Sequence, residues 1–226
     1  MNKILTNVEA VILDMDGLIL DTEVSYFAAW KYALNEQGYL LDDKFCASLS
    51  GVSFSHLEAL LTEHYGKINF TQFCETSGKI WRQNAEQHGI AVKQGAAELL
   101  VMLKEHNIPY CLASNSAKKN VQECLVYAGL GDEFSLRVCG DEVDKPKPAG
   151  DIFLAAANRL GKPLEMCLIV EDSLIGLRAA NHAGSTRTIL VPSIFPVSDE
   201  AKNCATSIFA NLMDFQKCLK MSLSAH

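Results

Sequence analysis

At 226 residues and 49% apolar side chains, the chain can bury one large core, or a core domain plus a smaller one. Its net charge of −7, with 27 acidic and 20 basic residues interspersed, excludes the basic stripe that a nucleic-acid partner demands. The segment MNKILTNVEA lacks the apolar core and cleavage site of a secretory signal. No stretch approaches the roughly 20 apolar residues of a membrane span, so a soluble cytoplasmic protein is expected.

In chain order, Val8–Asp14 comes first, a nearly continuous apolar run that suits a parallel strand covered on both faces. It ends in Asp14-Met15-Asp16-Gly17, with Asp21 close behind. Carboxylates so near one another repel, and each resists burial unless something pairs with it. Residues 22–88 then show only helical patterns, separated at Gly38, Gly51 and Gly66. A block of that size directly after the first strand reads as an inserted helical subdomain. Strand patterns resume at Pro109–Ser114, Leu136–Cys139, Met166–Glu171 and Arg187–Val191, with a shorter one at Ser207–Ala210. Amphipathic helices over Ala96–His106, Ala117–Ala128, Gly150–Leu160 and Leu174–Ala183 alternate with them, and Gly129, Gly161 and Gly184 stand where C-terminal glycines belong. This alternation predicts a doubly wound, Rossmann-like α/β sheet in residues 1–20 and 89–226, carrying an all-helical cap in residues 21–88. The eight cysteines form no CxxC pair, and Cys111, Cys139 and Cys167 sit in strand runs. They read as reduced thiols that pack as small hydrophobes.

Ligands of open α/β sheets bind beyond the carboxyl ends of the strands. The predicted ends supply Asp14 and Asp16, then Ser114, Asn115 and Ser116, then the run Asp144-Lys145-Pro146-Lys147-Pro148, then Glu171, Asp172 and Ser173. Taken singly, the serines and Asp172 could be helix caps, Asp16-Gly17 a turn and Lys147 a solvated charge. Their recurrence at successive strand ends points to one site, where a hard divalent cation with oxygen ligands would relieve the repulsion.

ILDMDGLILDTE, LASNS, KPAGDIF and IVEDS resemble, in order and spacing, the four motifs of the haloacid dehalogenase-like hydrolases. The helical insertion resembles the small cap of the subgroup that includes β-phosphoglucomutase and many sugar-phosphate phosphatases. The resemblance implies Asp14 as nucleophile and Asp16 as general acid and base. It further implies Mg²⁺ held by Asp14, Asp16 through its backbone carbonyl, and Asp172, with Glu171 nearby. Lys147 would offset charge, and Ser114 with Asn115 and adjoining N–H groups would hold phosphate oxygens. The motif spacing favours Lys147 over Lys145 for the cationic role. Gly150 replaces the family's usual proline, which predicts a looser loop. Asp21 and Thr22 are read as caps of the first cap helix, and Glu23 as a residue facing substrate.

Asp16 argues against dehalogenation, because dehalogenases lack the second aspartate. The mutase's cap motif resembles Gly51-Val52-Ser53 but continues with a phosphate-gripping arginine, where this chain has Phe54; the mutase's linker histidine falls near Tyr26. A Mg²⁺-dependent phosphatase acting on a small phosphorylated metabolite, a sugar or polyol phosphate, is therefore expected, with phosphohexomutase as the alternative and a non-catalytic binding protein more remote. Trp30, Phe54, His56, Lys79 and Arg82 are candidate specificity residues. A self-contained cap suits a monomer.

Overall fold

The computed structural model describes residues 3–49, 52, 54–194 and 196–223. Six strands, β1 (Ala10–Leu13), β2 (Tyr110–Ser114), β3 (Arg137–Cys139), β4 (Cys167–Glu171), β5 (Thr188–Leu190) and β6 (Ser207–Ile208), form one sheet. Every pairing is parallel, in the order β3-β2-β1-β4-β5-β6. Each anticipated strand is present, trimmed by one or two residues at its ends.

Side chains alternate across a strand, so the apolar runs serve two layers at once. Val11, Leu13, Leu112, Leu168 and Val170 face α5 (Ala96–Glu105), α6 (Lys118–Tyr127) and α10 (Leu212–Leu223). Ala10, Ile12, Cys111, Ala113, Cys167 and Ile169 face α7 (Asp151–Leu160) and α8 (Leu174–His182). Burial on both faces is the physical reason these strands read as continuous hydrophobic segments. All eight cysteines are free.

Between β1 and α5 lie α1 (Thr22–Asn35), α2 (Asp43–Ser48), α3 (Phe54–Tyr65) and α4 (Phe70–His88), with no named strand among the described residues. These helices share a core of their own, including Leu34, Leu41, Leu57, Leu61 and Phe73. Trp81 and Ala85 of α4 join the main core instead, so the helical cap is welded to the sheet domain along α4. The two connecting segments touch, with Leu20 bridging Val92 and Asp21 N donating to Ala91 O.

Two C-terminal helices were not anticipated from the pattern. Ser198 accepts from Ala201 N at the start of α9 (Asp199–Cys204). Asn211 accepts from Asp214 N in the first turn of α10, whose Leu212, Phe215 and Leu219 are buried at helical spacing. Among the described residues no helix is long and apolar enough to cross a membrane.

Candidate active site

The ends of β1, β2 and β4 bring the predicted residues to one edge of the sheet. Asp14 follows β1 and remains tied to it, its N–H donating to Val170 O. The chain then turns back, with Gly17 N donating to Leu20 O and with Ile19 N and Leu20 N both donating to Met15 O. Gly17 has φ +86°, and a Cβ there would lie 2.1 Å from Asp172 Oδ2. Only glycine satisfies both the backbone conformation and the approach of Asp172.

Among the described residues, Lys147 is the cation buried inside this acidic group. Its Nζ reaches Asp14 Oδ1 at 2.5 Å, Glu171 Oε1 at 2.6 Å and Ala113 O at 2.9 Å. An ammonium has three donors, and all three are used. The Lys147 side chain is 3% exposed and that of Glu171 is 0% exposed, so this pairing is largely desolvated. Burial opposes the charge on Lys147, yet the Asp14 and Glu171 carboxylates hold its pKa above the ordinary lysine value. Lys145 is exposed at the surface, which resolves which of the two lysines enters the site. Asn115 fixes the Lys147 backbone from both sides: its Oδ1 accepts from Lys147 N at 2.7 Å and its Nδ2 donates to Lys147 O at 3.1 Å.

Asp16 has a different environment. Its carboxylate accepts hydrogen bonds from Thr22 Oγ1 at 2.6 Å, Ser114 Oγ at 3.0 Å and Ser116 Oγ at 3.2 Å. Neither serine caps the following helix, whose N-cap is Ala117 without a side-chain bond. Ser173 does cap α8, accepting from Gly176 N while its hydroxyl donates to Glu171 Oε2.

Asp14, Glu171 and Asp172 each offer a carboxylate oxygen, all within 4.8 Å of one another. Burial raises the pKa of Asp172 well above the usual carboxylate range, and Asp14, Glu171 and Glu23 push it the same way. Burial also raises that of Asp14, against the pull of Lys147. A single lysine thus leaves negative charge uncompensated, and the hard-oxygen donor set suits a small divalent cation.

Above these groups is a cavity of about 380 Å³ lined from the sheet side by Asp14, Asp16, Asn115, Ser116, Lys147 and Asp172. Glu23 also lines it and accepts from Ser193 Oγ at 2.7 Å, so the anticipated inward orientation of Glu23 is present. Arg82 reaches the same cavity and pairs with Glu123 at 3.2 Å. His56 and Lys79 are exposed. Trp30, a candidate specificity residue, both packs on Phe73 and lines the cavity. Gly51, Ser53 and the Phe54 side chain lie outside the described residues.

Two readings require correction. Asp21 occupies the N-cap position of α1 without making a cap hydrogen bond. Its φ −84° and ψ 57° depart from the extended geometry that aims a cap side chain at the first turn; Oδ1 lies 3.9 Å from Lys93 Nζ instead. Thr22 is the first helical residue, and its hydroxyl turns to Asp16. Nor does Gly150 loosen its loop. A Cβ there would sit 2.5 Å from Ala183 N, so glycine lets the start of α7 press against the end of α8. The contributions of Thr22 and Ser116 to holding Asp16 were missed. The only available signals were the repeated two-residue offset of Ser114 and Ser116, and a threonine inside the first motif.

Residues 11–191 match the family described as haloacid dehalogenase-like hydrolase. The chain is 34% identical over 223 residues to a Drosophila melanogaster protein named probable pseudouridine-5′-phosphatase, covering 95% of this chain and 94% of that protein. It is 32% identical to the β-phosphoglucomutase of Bacillus subtilis, over 78% and 80% of the two chains. A solved hydrolase from Pseudomonas syringae superposes with a TM-score of 0.81 at 26% identity, over 94% and 98%. The family match runs from β1 to just beyond β5 and takes in every strand end that carries a site residue; the chain belongs to the haloacid dehalogenase-like hydrolases.

Proposed function

We infer that the chain is a phosphomonoester hydrolase that transfers the phosphoryl group of a small phosphorylated metabolite, a sugar or polyol phosphate, first to Asp14 and then to water. The observation that carries this reading is the contrast between two carboxylates on one cavity. Asp14 is buried and paired with Lys147, whereas Asp16 is held by three hydroxyls. Paired carboxylates in unlike environments divide the roles of nucleophile and acid–base.

In this reading Asp14 Oδ attacks phosphorus and the bond to the leaving oxygen breaks, giving an aspartyl-phosphate. Asp16 gives its proton to the departing alkoxide. It then takes a proton from the water that attacks the aspartyl-phosphate, which releases inorganic phosphate and restores both carboxyls. Lys147 offsets charge on Asp14, and Asn115 holds the Lys147 backbone in place. The backbone N–H groups that follow β2, beside Ser114 and Asn115, are read as the donors to the phosphoryl oxygens. Mg²⁺ fits the donor set of Asp14, Asp172 and Glu171, with the Asp16 carbonyl, and when bound would neutralise charge on the phosphoryl oxygens.

The phosphatase reading is favoured over the mutase because a second phosphate needs a cationic clamp. Among the described lining residues the cations are Lys147 and Arg82, and both are already paired. The test is phosphate release from a panel of sugar phosphates, with and without Mg²⁺, for wild type and Asp14→Asn. Magnesium-dependent release that is lost in the variant is expected. Conversion of a hexose 1-phosphate to its 6-phosphate without release would replace hydrolase by mutase.

A further inference from the structure

On the cap side the cavity wall is mainly apolar, built from Tyr26, Phe27, Trp30, Val52, Leu57 and Trp81. Several polar groups among the described residues of this wall are engaged within the protein. Arg82 pairs with Glu123, the Ser77 hydroxyl donates to Cys74 O, and the Tyr26 hydroxyl meets Cys124 Sγ at 3.3 Å. A sugar or polyol hydroxyl set against such a surface would lose its hydrogen bonds to water without replacement. Glu23, the second residue of α1, interrupts the apolar wall with a carboxylate.

Glu23 is 5% exposed and lines the cavity. A carboxylate so buried needs compensation, and groups from two distant segments supply it. Ser193 Oγ, in the loop after β5, donates to Glu23 Oε2 at 2.7 Å. Lys93 Nζ, on the segment returning from the cap, donates to Ser193 Oγ at 3.4 Å. One hydroxyl thus relays the lysine cation to Glu23. The same serine fixes where Glu23 stands. A Cβ on Gly17 would lie 3.0 Å from Ser193 Oγ and 2.1 Å from Asp172 Oδ2, so the partner of Glu23 and a carboxylate of the reaction centre both rest on Gly17. Glu23 is therefore beside the place of phosphoryl transfer. A carboxylate has about four lone-pair sites, more than one serine hydroxyl fills, so it can accept from a substrate hydroxyl as well.

We propose that Glu23 is a specificity-determining residue: it accepts a hydrogen bond from a substrate hydroxyl close to the phosphoester, and Ser193 and Lys93 are the positioning residues that hold it there. This rests on the hydrolase reading and says how that site tells a polyol phosphate from other monoesters. The carboxylate sorts substrates by charge as well as by hydrogen bonding. A neutral hydroxyl meets it as a donor, whereas a second anionic group on the substrate is repelled. Glu23 takes no part in the chemical steps, which belong to Asp14 and Asp16.

Glycerol 3-phosphate, propyl phosphate and 3-phosphoglycerate share one carbon skeleton. Propyl phosphate lacks the hydroxyls, and 3-phosphoglycerate carries a carboxylate in place of the terminal hydroxymethyl group. With wild-type enzyme and Mg²⁺, kcat/KM for glycerol 3-phosphate is expected to exceed that for propyl phosphate by about tenfold or more. In Glu23→Ala that ratio should fall to within about twofold of unity, and in Ser193→Ala it should fall partway. Both esters meet the same enzyme molecules, so misfolding lowers both rates and leaves the ratio unmoved. Glu23→Gln keeps the shape and removes the charge. In that variant kcat/KM for 3-phosphoglycerate relative to glycerol 3-phosphate should rise about tenfold, a gain that a structural defect does not produce. A wild-type ratio near one, no release from glycerol 3-phosphate while other esters react, a ratio retained in Glu23→Ala, or no gain in Glu23→Gln overturns the assignment and leaves the hydrolase standing. A ratio unmoved in Ser193→Ala overturns the positioning role of Ser193. No release by wild type from these esters, from the sugar-phosphate panel or from p-nitrophenyl phosphate overturns the hydrolase, and the role of Glu23 with it.

Discussion

Thr22 Oγ1 donates to Asp16 Oδ1 at 2.6 Å, so the first residue of the first cap helix grips the carboxylate proposed as acid and base. Attachment of the cap and orientation of Asp16 are thereby one structural event. Thr22→Val keeps the shape and β-branching but removes the donor, leaving Asp16 with its two serine partners. A hydrogen bond to a charged group contributes about 1.5–3 kcal/mol, which predicts a fall in kcat of roughly 10- to 100-fold with little change in KM. Thr22→Ser should retain most activity. Steady-state kinetics on the best phosphate ester checks both, and unchanged kcat in Thr22→Val would sink the role.

Lys147 is expected to be structural as well as chemical. Lys147→Met leaves Asp14 and Glu171 buried beside each other without their cation, and breaking such a pair costs about 3–5 kcal/mol. Urea denaturation should show the loss. Lys147→Met combined with Glu171→Gln should be less destabilised than the single variant, because one of the stranded charges is gone.

The buried carboxylates predict a pH dependence in EDTA. Asp172 has its folded-state pKa raised well above the ordinary 3.8, so the folded chain binds more protons than the unfolded one above that value. Its contribution to stability is therefore lost as pH rises through the raised pKa. Thermal melts in EDTA should show falling Tm from about pH 5 upward, superimposed on the response of other groups. Added Mg²⁺ should raise Tm more near neutrality than near pH 5, because the metal competes with protons for the same oxygens. An equal Mg²⁺ effect at both values would count against carboxylate ligation.

Gly150→Pro would restore the residue usual in this motif but place a Cβ within 2.5 Å of Ala183 N. Overpacking of this kind costs about 1–3 kcal/mol. Loss of thermal stability is expected, with α7 and α8 displaced from each other. A stabilised variant would show that the contact yields at no cost.

Local patterning determined much of this protein. Runs buried on both faces identified the strands, helix-ending glycines identified the breaks between elements, and the strand-end rule collected Asp14, Asp16, Ser114, Asn115, Lys147, Glu171 and Asp172. These features depend on neighbours a few residues apart, and a linear reading can see them. The tertiary structure decided who touches whom. Ser114 and Asp16 are 98 residues apart, Lys147 and Asp14 are 133 apart, and Glu23 and Ser193 are 170 apart. Thr22 looked like a cap because a threonine at a helix start usually is one. It became a partner of Asp16 because the turn at Gly17 brings the chain back on itself. Of the aromatic rings that line the cavity, Trp30 was anticipated and Tyr26 and Trp81 were not, for the same reason. Tyr26, Trp30 and Trp81 have the spacing of helix core, and only the packing of α1 on α4 above the sheet edge turned those faces toward the cavity.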